Sequence, residues 1–441
     1  MAWSSSEWSS VFFPLFLDEV RKLSDLRDPE LVDYTLCSVL WTPILMFVCR
    51  LGARRKIHHV LNTPRLARYL SLLAQEQLSR VPHGDTVCDV LKGLRVDQLG
   101  RLRTMLVRWL IQDRCLEKFR LLGRYYLVTL DGTGFLALGN KPGAHTEGCL
   151  RRKLSNGQTL YYRPVLEAKL VTRTSLALSV GSEFPENPRR PGQSQKDYKQ
   201  DCELKAAYRL LPRLKKEFPR LGFCLLLDAL FACEPVFALC ESNKWAFITV
   251  LQNGSLPSVQ EEFKALVGHD PKAVKLHTNK HVKQVIRWVN HIAYKEHTLN
   301  VLECVETNLK TGKTTRWLWV TNILITPENC VEVANLGGRQ RWRTENEGFN
   351  VQKNGGYEME HAYSQDPTAA KNFYLLLQIA HTFAQLFECR MGGKQAVVAH
   401  WGSLAELADA LKRSFLDDDL PTDRELRTFL ETPIQVRLDS S

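Results

Sequence analysis

Three short apolar runs constrain the fold of this chain most strongly. They are Tyr125 to Leu130, Phe223 to Leu227 and Trp245 to Leu251. Each has the length and the apolar character of a buried β-strand, and helical segments precede the second run and the third. The chain is therefore predicted to combine helices with a central sheet, as an α/β or α+β protein.

Two of these runs are followed directly by a carboxylate. Asp131 begins Asp131-Gly132-Thr133-Gly134, which is predicted to be a turn, and Asp228 follows the second run. Strand ends in an open sheet are where side chains converge on a ligand. Two carboxylates held there would suit a divalent metal ion. The alternative is that each Asp only caps a turn.

Changes of periodicity along the chain predict the domain organisation. Apolar residues recur at helical spacing near the N-terminus, as in Leu17, Val20 and Leu23. Amphipathic β-like segments fill the region between Gln252 and Ala334. The predicted parts are an N-terminal helical domain (1–122), a core in two parts (123–251 and 335–392), a β-rich insertion (252–334) and a helical tail (393–441).

Charge favours a polyanionic partner. The chain has 59 Lys and Arg against 48 Asp and Glu, which gives a formal net charge of +11. Basic residues crowd Arg54, Arg55 and Lys56 in the N-terminal region, where they are candidates for DNA contacts. Solvated helix faces would have the same composition.

Neither a membrane span nor export is predicted. The most apolar stretch, Leu36 to Cys49, is shorter than the ~20 residues of a span and contains Pro43. The first residues lack the charged start of a signal peptide. The expected location is therefore the cytoplasm.

A third candidate carboxylate lies on a predicted helix from Arg339 to Lys353. Arg341 and Glu345 are four residues apart and share a face of that helix. The alternative is that the two side chains only form an ion pair on the protein surface. Glu347 is a rival to Glu345, but a displacement of about 200° puts it on the opposite face.

Together, these residues resemble the DDE transposases of bacterial insertion sequences, whose third catalytic residue lies in a Y-x2-R-x3-E-x6-K signature. Arg341 and Glu345 match the Arg and Glu of that signature. The chain has Gly338 at the position of the signature's Tyr and Gln352 at the position of its Lys, and Lys353 is adjacent. Three blocks carry the resemblance: L-V-T-L-D-G-T-G, C-L-L-L-D-A-L-F-A and R-W-R-T-E-N-E-G-F-N-V-Q-K-N.

The resemblance implies a ribonuclease H-like core, in which a mixed sheet is flanked by helices and an all-β insertion separates the second Asp from the Glu. It implies that Asp131, Asp228 and Glu345 bind two Mg²⁺ or Mn²⁺ ions for phosphodiester cleavage and strand transfer. The implied partners are double-stranded DNA, as the element's terminal inverted repeats and the target, and a second copy of the chain on that DNA. The implied location is the bacterial nucleoid.

The resemblance makes residues 123–251 and 335–392 the catalytic core, and the basic N-terminal region (1–122), outside that core, is the predicted DNA-binding domain. The resemblance also assigns individual DNA contacts. Arg341 and Lys353 would contact phosphates near the cut. One of Trp288, Trp317 and Trp319, from the β-rich insertion, would stack on a base flipped out beside the cleavage site. Core packing is the alternative for each tryptophan.

Two other functions stay open. A structure-selective nuclease, such as a junction resolvase, would keep the metal site and cut without joining. A DNA-binding protein derived from a transposase would have lost the activity, although all three acidic residues are present here.

Overall fold

The computed structural model describes residues 16–141, 143, 146–187, 200–416, 422 and 424. The outer ends of the predicted N-terminal domain and of the C-terminal tail therefore lie outside the described residues. The described chain folds around one mixed ten-stranded sheet with helices packed against it. The predicted combination of helices and a sheet is confirmed at this level.

The strands of the sheet are named here in chain order. They are β1 Tyr126–Ala137, β2 Leu150–Lys153, β3 Thr159–Val171, β4 Ala177–Glu183, β5 Phe223–Leu227, β6 Ala246–Val250, β7 Val274–Thr278, β8 Val282–Tyr294, β9 His297–Asn308 and β10 Thr314–Thr321. The central strand β1 pairs with β3 antiparallel on one side and with β5 parallel on the other, and β4 pairs with β3. The order across the sheet is β2-β3-β1-β5-β6-β10-β9-β8-β7.

The predicted turn at Asp131-Gly132-Thr133-Gly134 is wrong. Strand β1 continues through these residues to Ala137 because β3 goes on pairing with them, with Asp131 opposite Glu167 and Thr133 opposite Val165. Its parallel pairing with β5, however, ends at Thr129. Asp131 therefore lies within a strand, but beyond the end of the β1–β5 pair.

The β-rich region after β6 extends the core sheet. Strand β10 pairs antiparallel with β6, so β7 to β10 continue the hydrogen-bonded ladder outward. A helix, Pro257–Leu266, begins this region, although only strands were predicted there. Its Val259 and Phe263 are buried against the sheet core, which explains why an amphipathic helix forms at this point.

Helices cover both faces of the sheet. They are α1 Leu36–Val48, α2 Pro64–Ala74, α3 Gly84–Gly93, α4 Val96–Gln112, α5 Glu203–Glu217, α6 Glu234–Ser242, α7 Pro257–Leu266, α8 Pro367–Arg390, α9 Lys394–Trp401 and α10 Leu404–Ser414. Residues 330–354 form a further helical stretch, named the mixed helix here because it changes winding between α, π and 3₁₀. Such changes of winding are found at functional sites more often than in ordinary helices.

The N-terminal helices share one hydrophobic core with α8. Trp41 of α1 stacks on Phe383 of α8, with ring centroids 5.8 Å apart. The buried Asn372 of α8 donates hydrogen bonds to the carbonyls of Leu91 and Leu94, at 2.8 and 2.7 Å. The predicted helical character of the N-terminal region is thus confirmed for its described residues. Removing that region would expose a core face of α8.

None of the helices in the described part of the chain is both long enough and apolar enough to cross a membrane. Helix α1 is almost entirely buried, with only Leu45 and Val48 partly exposed. Its apolar sequence is therefore explained by packing in the protein core, as expected for the stretch around Pro43.

Candidate active site

Asp131 and Asp228 lie at the same edge of the sheet, each just beyond the parallel pairing of β1 with β5. The last parallel pair between β1 and β5 is Thr129 with Leu226, and each Asp is two residues beyond its member of that pair. Because side chains alternate along a strand, both carboxylates lie on the face shared by Thr129 and Leu226. Asp228 caps a short 3₁₀ helix, and its Oδ1 accepts a hydrogen bond from the Ala229 amide at 2.6 Å.

The mixed helix brings Glu345 to the same edge. The hydroxyl of Thr344 hydrogen-bonds the hydroxyl of Thr129, and both residues are buried. This contact holds the mixed helix against β1 two residues before Asp131. Glu345 follows Thr344 in the chain and is exposed to solvent. The sequence-predicted triad is thus placed at one edge of the sheet, on three different elements.

Arg341 lies beside the first carboxylate. Its Nη1 is 4.0 Å from Oδ2 of Asp131, and both side chains are partly buried. Arg341 and Glu345 each act electrostatically on Asp131. The surface ion pair considered for Arg341 and Glu345 is therefore not the contact that Arg341 makes, since its guanidinium pairs with Asp131.

A fourth carboxylate, Glu203, was missed by the sequence analysis. It lies in the first turn of α5. Gly132 leaves room for it, because a Cβ at Gly132 would come within 2.2 Å of the Glu203 carboxylate. In the sequence, Glu203 is an ordinary acidic residue at the start of a helix, which is a common stabilising position. Only the packing of α5 against the sheet reveals that it belongs to this site.

Burial and mutual repulsion disfavour the charged forms of these carboxylates. Burial, opposed by Arg341 and assisted by Glu345 and Glu203, raises the pKa of Asp131 to about 6. Burial and the nearby charge of Asp228 raise the pKa of Glu203. Carboxylates that repel one another at a partly buried position are poised to accept a cation or a proton.

The carboxylates do not converge on one point. Among the residues that the structure describes, no three His, Cys, Asp or Glu side chains form a group that could hold a metal ion. The chemistry of the donors nevertheless fits a hard divalent cation, since all four side chains offer carboxylate oxygens. Because Gly132 has no Cβ, the Glu203 carboxylate fits beside it and adds its oxygens to this edge of the sheet.

Comparison with models of known protein families gives no match to this chain, and comparison with curated proteins gives none either. The resemblance to insertion-sequence transposases therefore rests on its motif residues alone.

Both departures from the transposase signature have structural reasons. At Gly338 a Cβ would come within 2.6 Å of the ring of Trp319, so no side chain fits there. Gln352 is fully buried, and its Nε2 hydrogen-bonds Oε1 of Gln378 and Nδ1 of His381, both at 2.9 Å. A lysine at this position would bury a charge. Lys353 is partly exposed and pairs with Glu360 at 3.0 Å.

The three candidate tryptophans differ in exposure. Trp288 and Trp319 are buried in the core beneath the mixed helix. Trp317 is partly exposed and lies under the guanidinium of Arg339, 4.6 Å from the ring centroid. Burial favours core packing for the first two. A further tryptophan, Trp342 of the mixed helix, is 43% exposed and follows Arg341 directly.

The predicted N-terminal contact residues lie on the surface. Arg55 and Lys56 are exposed, whereas Arg54 is partly buried and its Nη1 is 3.2 Å from both the Gly84 carbonyl and the Asp85 carboxylate. They remain predicted DNA contacts. Glu347, the rival third carboxylate, faces elsewhere and lines a cavity with Glu388 and Lys394.

The raised pKa of Asp131 predicts a pH-dependent cost to stability. Between its ordinary value of 3.8 and about 6, the folded protein holds this proton more tightly than the unfolded chain does. The free energy of unfolding should therefore fall as pH rises through that interval. Asp131→Asn should match the wild type below about pH 4 and be more stable above about pH 6, by up to about 3 kcal/mol. Urea titrations across this range measure the difference, and a constant difference would contradict the assignment.

Proposed function

We propose that this chain is a metal-dependent DNA phosphoryl transferase of the DDE transposase type, which cleaves element ends and joins them to target DNA. The observation that carries the proposal is the placement of Asp131, Asp228 and Glu345 at one sheet edge, from three elements far apart in the chain. Glu203 joins them as a fourth carboxylate.

The topology supports a ribonuclease H-like core as the finer description of the fold. The sheet is mixed, and the two Asp-bearing strands are parallel neighbours within it. Between β6 and the mixed helix that carries Glu345, the chain adds four strands, β7 to β10. This matches the insertion that the resemblance implies at that point.

The residues have separate roles in the proposal. Asp131, Asp228 and Glu345 would hold two Mg²⁺ or Mn²⁺ ions, with Glu203 as an additional oxygen donor. When bound, such ions activate the attacking oxygen and stabilise the leaving oxygen of a phosphodiester. Arg341 lies 4.0 Å from Asp131 in the free protein and would contact a phosphate when DNA binds.

The tryptophans that solvent reaches, at least in part, are the candidates for stacking on a displaced base. Trp342 directly follows Arg341, and Trp317 lies beneath Arg339 on the same helical stretch. Stacking of one base on an aromatic ring contributes about 1 to 3 kcal/mol. We assign this role to these two tryptophans ahead of the buried Trp288 and Trp319.

The test is a cleavage and joining assay on plasmid DNA that carries the sequences flanking the gene, with Mg²⁺ or Mn²⁺ and in parallel with EDTA. Metal-dependent nicks that leave 3′-hydroxyls, followed by covalently joined products, are expected. Nicks without joining would favour the structure-selective nuclease. DNA binding with no cleavage in either metal would favour the inactive DNA-binding protein.

A further inference from the structure

The outer strands of the sheet carry lysines that no acidic residue balances. Residues 271–295 and 307–327 contain no Asp or Glu. The acidic residues of β9 are already paired, Glu303 with Arg287 and Arg316, and Glu306 with Arg339. Four exposed lysines cluster at the two turns that end these strands, and none forms an ion pair within the described chain. They are Lys280, Lys283, Lys310 and Lys313.

The two turns form one structural unit, called the basic arm here and defined as residues 279–283 and 308–314. The amide of Leu309 donates to the carbonyl of His281 at 2.9 Å, which joins the turns side by side. Strand β8 pairs with β9 up to Val282 and Asn308, and β9 pairs with β10 from Thr314. The lysines are therefore carried on a hydrogen-bonded sheet and held close to one another.

The basic arm projects past the edge of the sheet that holds the carboxylates. Val250, the last residue of β6, pairs with Trp319 of β10. Because β10 is antiparallel to β6, its first residues extend beyond the C-terminal end of β6. That is the edge at which Asp228 follows β5. From Trp319 to Thr314 the overhang is five residues, or roughly 16 Å.

Positive side chains connect the arm to the candidate active site. Arg339 lies over Trp317 of β10, which is four residues after Lys313 in the chain. Arg341 follows on the same helical stretch and lies beside Asp131. In the proposed complex, metal ions on the carboxylates hold one phosphate of the DNA. A duplex that continues from there along this face would pass over Arg341 and Arg339 and then reach the arm.

We infer that the basic arm binds the phosphate backbone of duplex DNA beside the active site, without reading its sequence. The inference rests on the proposed function, because it takes DNA as the substrate. Lysine is a point charge that suits phosphate contacts, whereas base recognition needs side chains that fit base edges. The arm extends the contact between protein and duplex away from the cut. The affinity that it adds is sensitive to salt.

The test measures the salt dependence of binding to a fluorescent duplex of unrelated sequence, in EDTA so that no cleavage occurs. The arm variant replaces Lys280, Lys283, Lys310 and Lys313 by Gln. Each phosphate contact contributes about 0.9 to the magnitude of the slope of log K against log salt, so removing four contacts should lower that magnitude by about 3.6. The loss should be the same for element-end DNA.

A matched control removes four charges from the opposite edge of the sheet, by changing Arg124, Lys216, Arg220 and Lys244 to Gln. These residues are exposed, and three of them precede β1, β5 and β6. The control should keep the wild-type slope, and melting curves should show that both variants fold. If the wild type binds tightly and the arm variant has the same slope as the control, the arm does not bind DNA. The proposed function would still stand. A wild type that binds anionic lipid vesicles but no duplex would overturn both.

Discussion

Replacement of Asp131 or Asp228 by Asn should lower the rate of metal-dependent DNA cleavage by on the order of 10³-fold or more. The reason is that each carboxylate lies just beyond the last parallel pair of β1 and β5, at the sheet edge where the proposed metal ions would bind. Glu345→Gln should have a comparable effect. Binding of end DNA should change little in all three variants, since the lost groups are negative.

Glu347→Gln is the control for Glu345, because Glu347 lies in the same helical segment and lines a separate cavity. It should retain most of the cleavage activity. Glu203→Gln should fall between these cases, with a rate that recovers partly at higher metal concentration. Near wild-type cleavage by any one variant of the triad would remove that residue from the site.

Breaking the buried ion pair between Arg103 and Glu167 should give the largest loss of stability. Glu167 is fully buried, lies opposite Asp131 in the β1–β3 ladder, and accepts hydrogen bonds from Ser182 at 2.6 Å and from Tyr374 at 2.9 Å. Arg103 of α4 is 3.5 Å from it. Arg103→Met leaves the carboxylate without its cation and should cost about 3 to 5 kcal/mol of unfolding free energy.

Arg108→Met is the matched control on the same helix. Arg108 pairs with Glu217 at 3.5 Å, but both side chains are substantially exposed. Its loss should cost about 0 to 1 kcal/mol. The double variant Arg103→Met with Glu167→Gln should recover much of the stability, because neither charge is then left alone. Urea unfolding would refute this view of the pair if Arg103→Met were no less stable than Arg108→Met.

Sequence patterns located the strands and the neighbouring carboxylates because these depend on local information. The run Phe223 to Leu227 is the strand that was predicted, with Asp228 directly after it. Continuous apolar runs mark buried strands, and their ends mark the edge of a sheet. The predicted neighbourhood of Asp131 and Asp228 follows from this and is confirmed by the register of β1 and β5.

The remaining features depend on long-range pairing, which local patterns do not contain. Strand β1 continues past Asp131 because β3 pairs with it, although Gly132 and Gly134 signal a turn. Glu203 joins the site only because α5 packs across the sheet against Gly132. The sequence pattern predicts a separate unit for the strands after β6. The hydrogen bonds between β10 and β6 instead make these strands part of the core sheet.

The central claim is that these carboxylates bind divalent metal for DNA cleavage, and Mn²⁺ binding measured by electron paramagnetic resonance tests it most directly. Adding the protein with a cleavage-resistant DNA duplex should remove the signal of free Mn²⁺, with two ions bound per chain. Asp131→Asn and Asp228→Asn should leave most of that signal, whereas Glu347→Gln should behave like the wild type. Equal Mn²⁺ binding by the wild type and both Asp variants would contradict the claim, because the ions would then lie elsewhere.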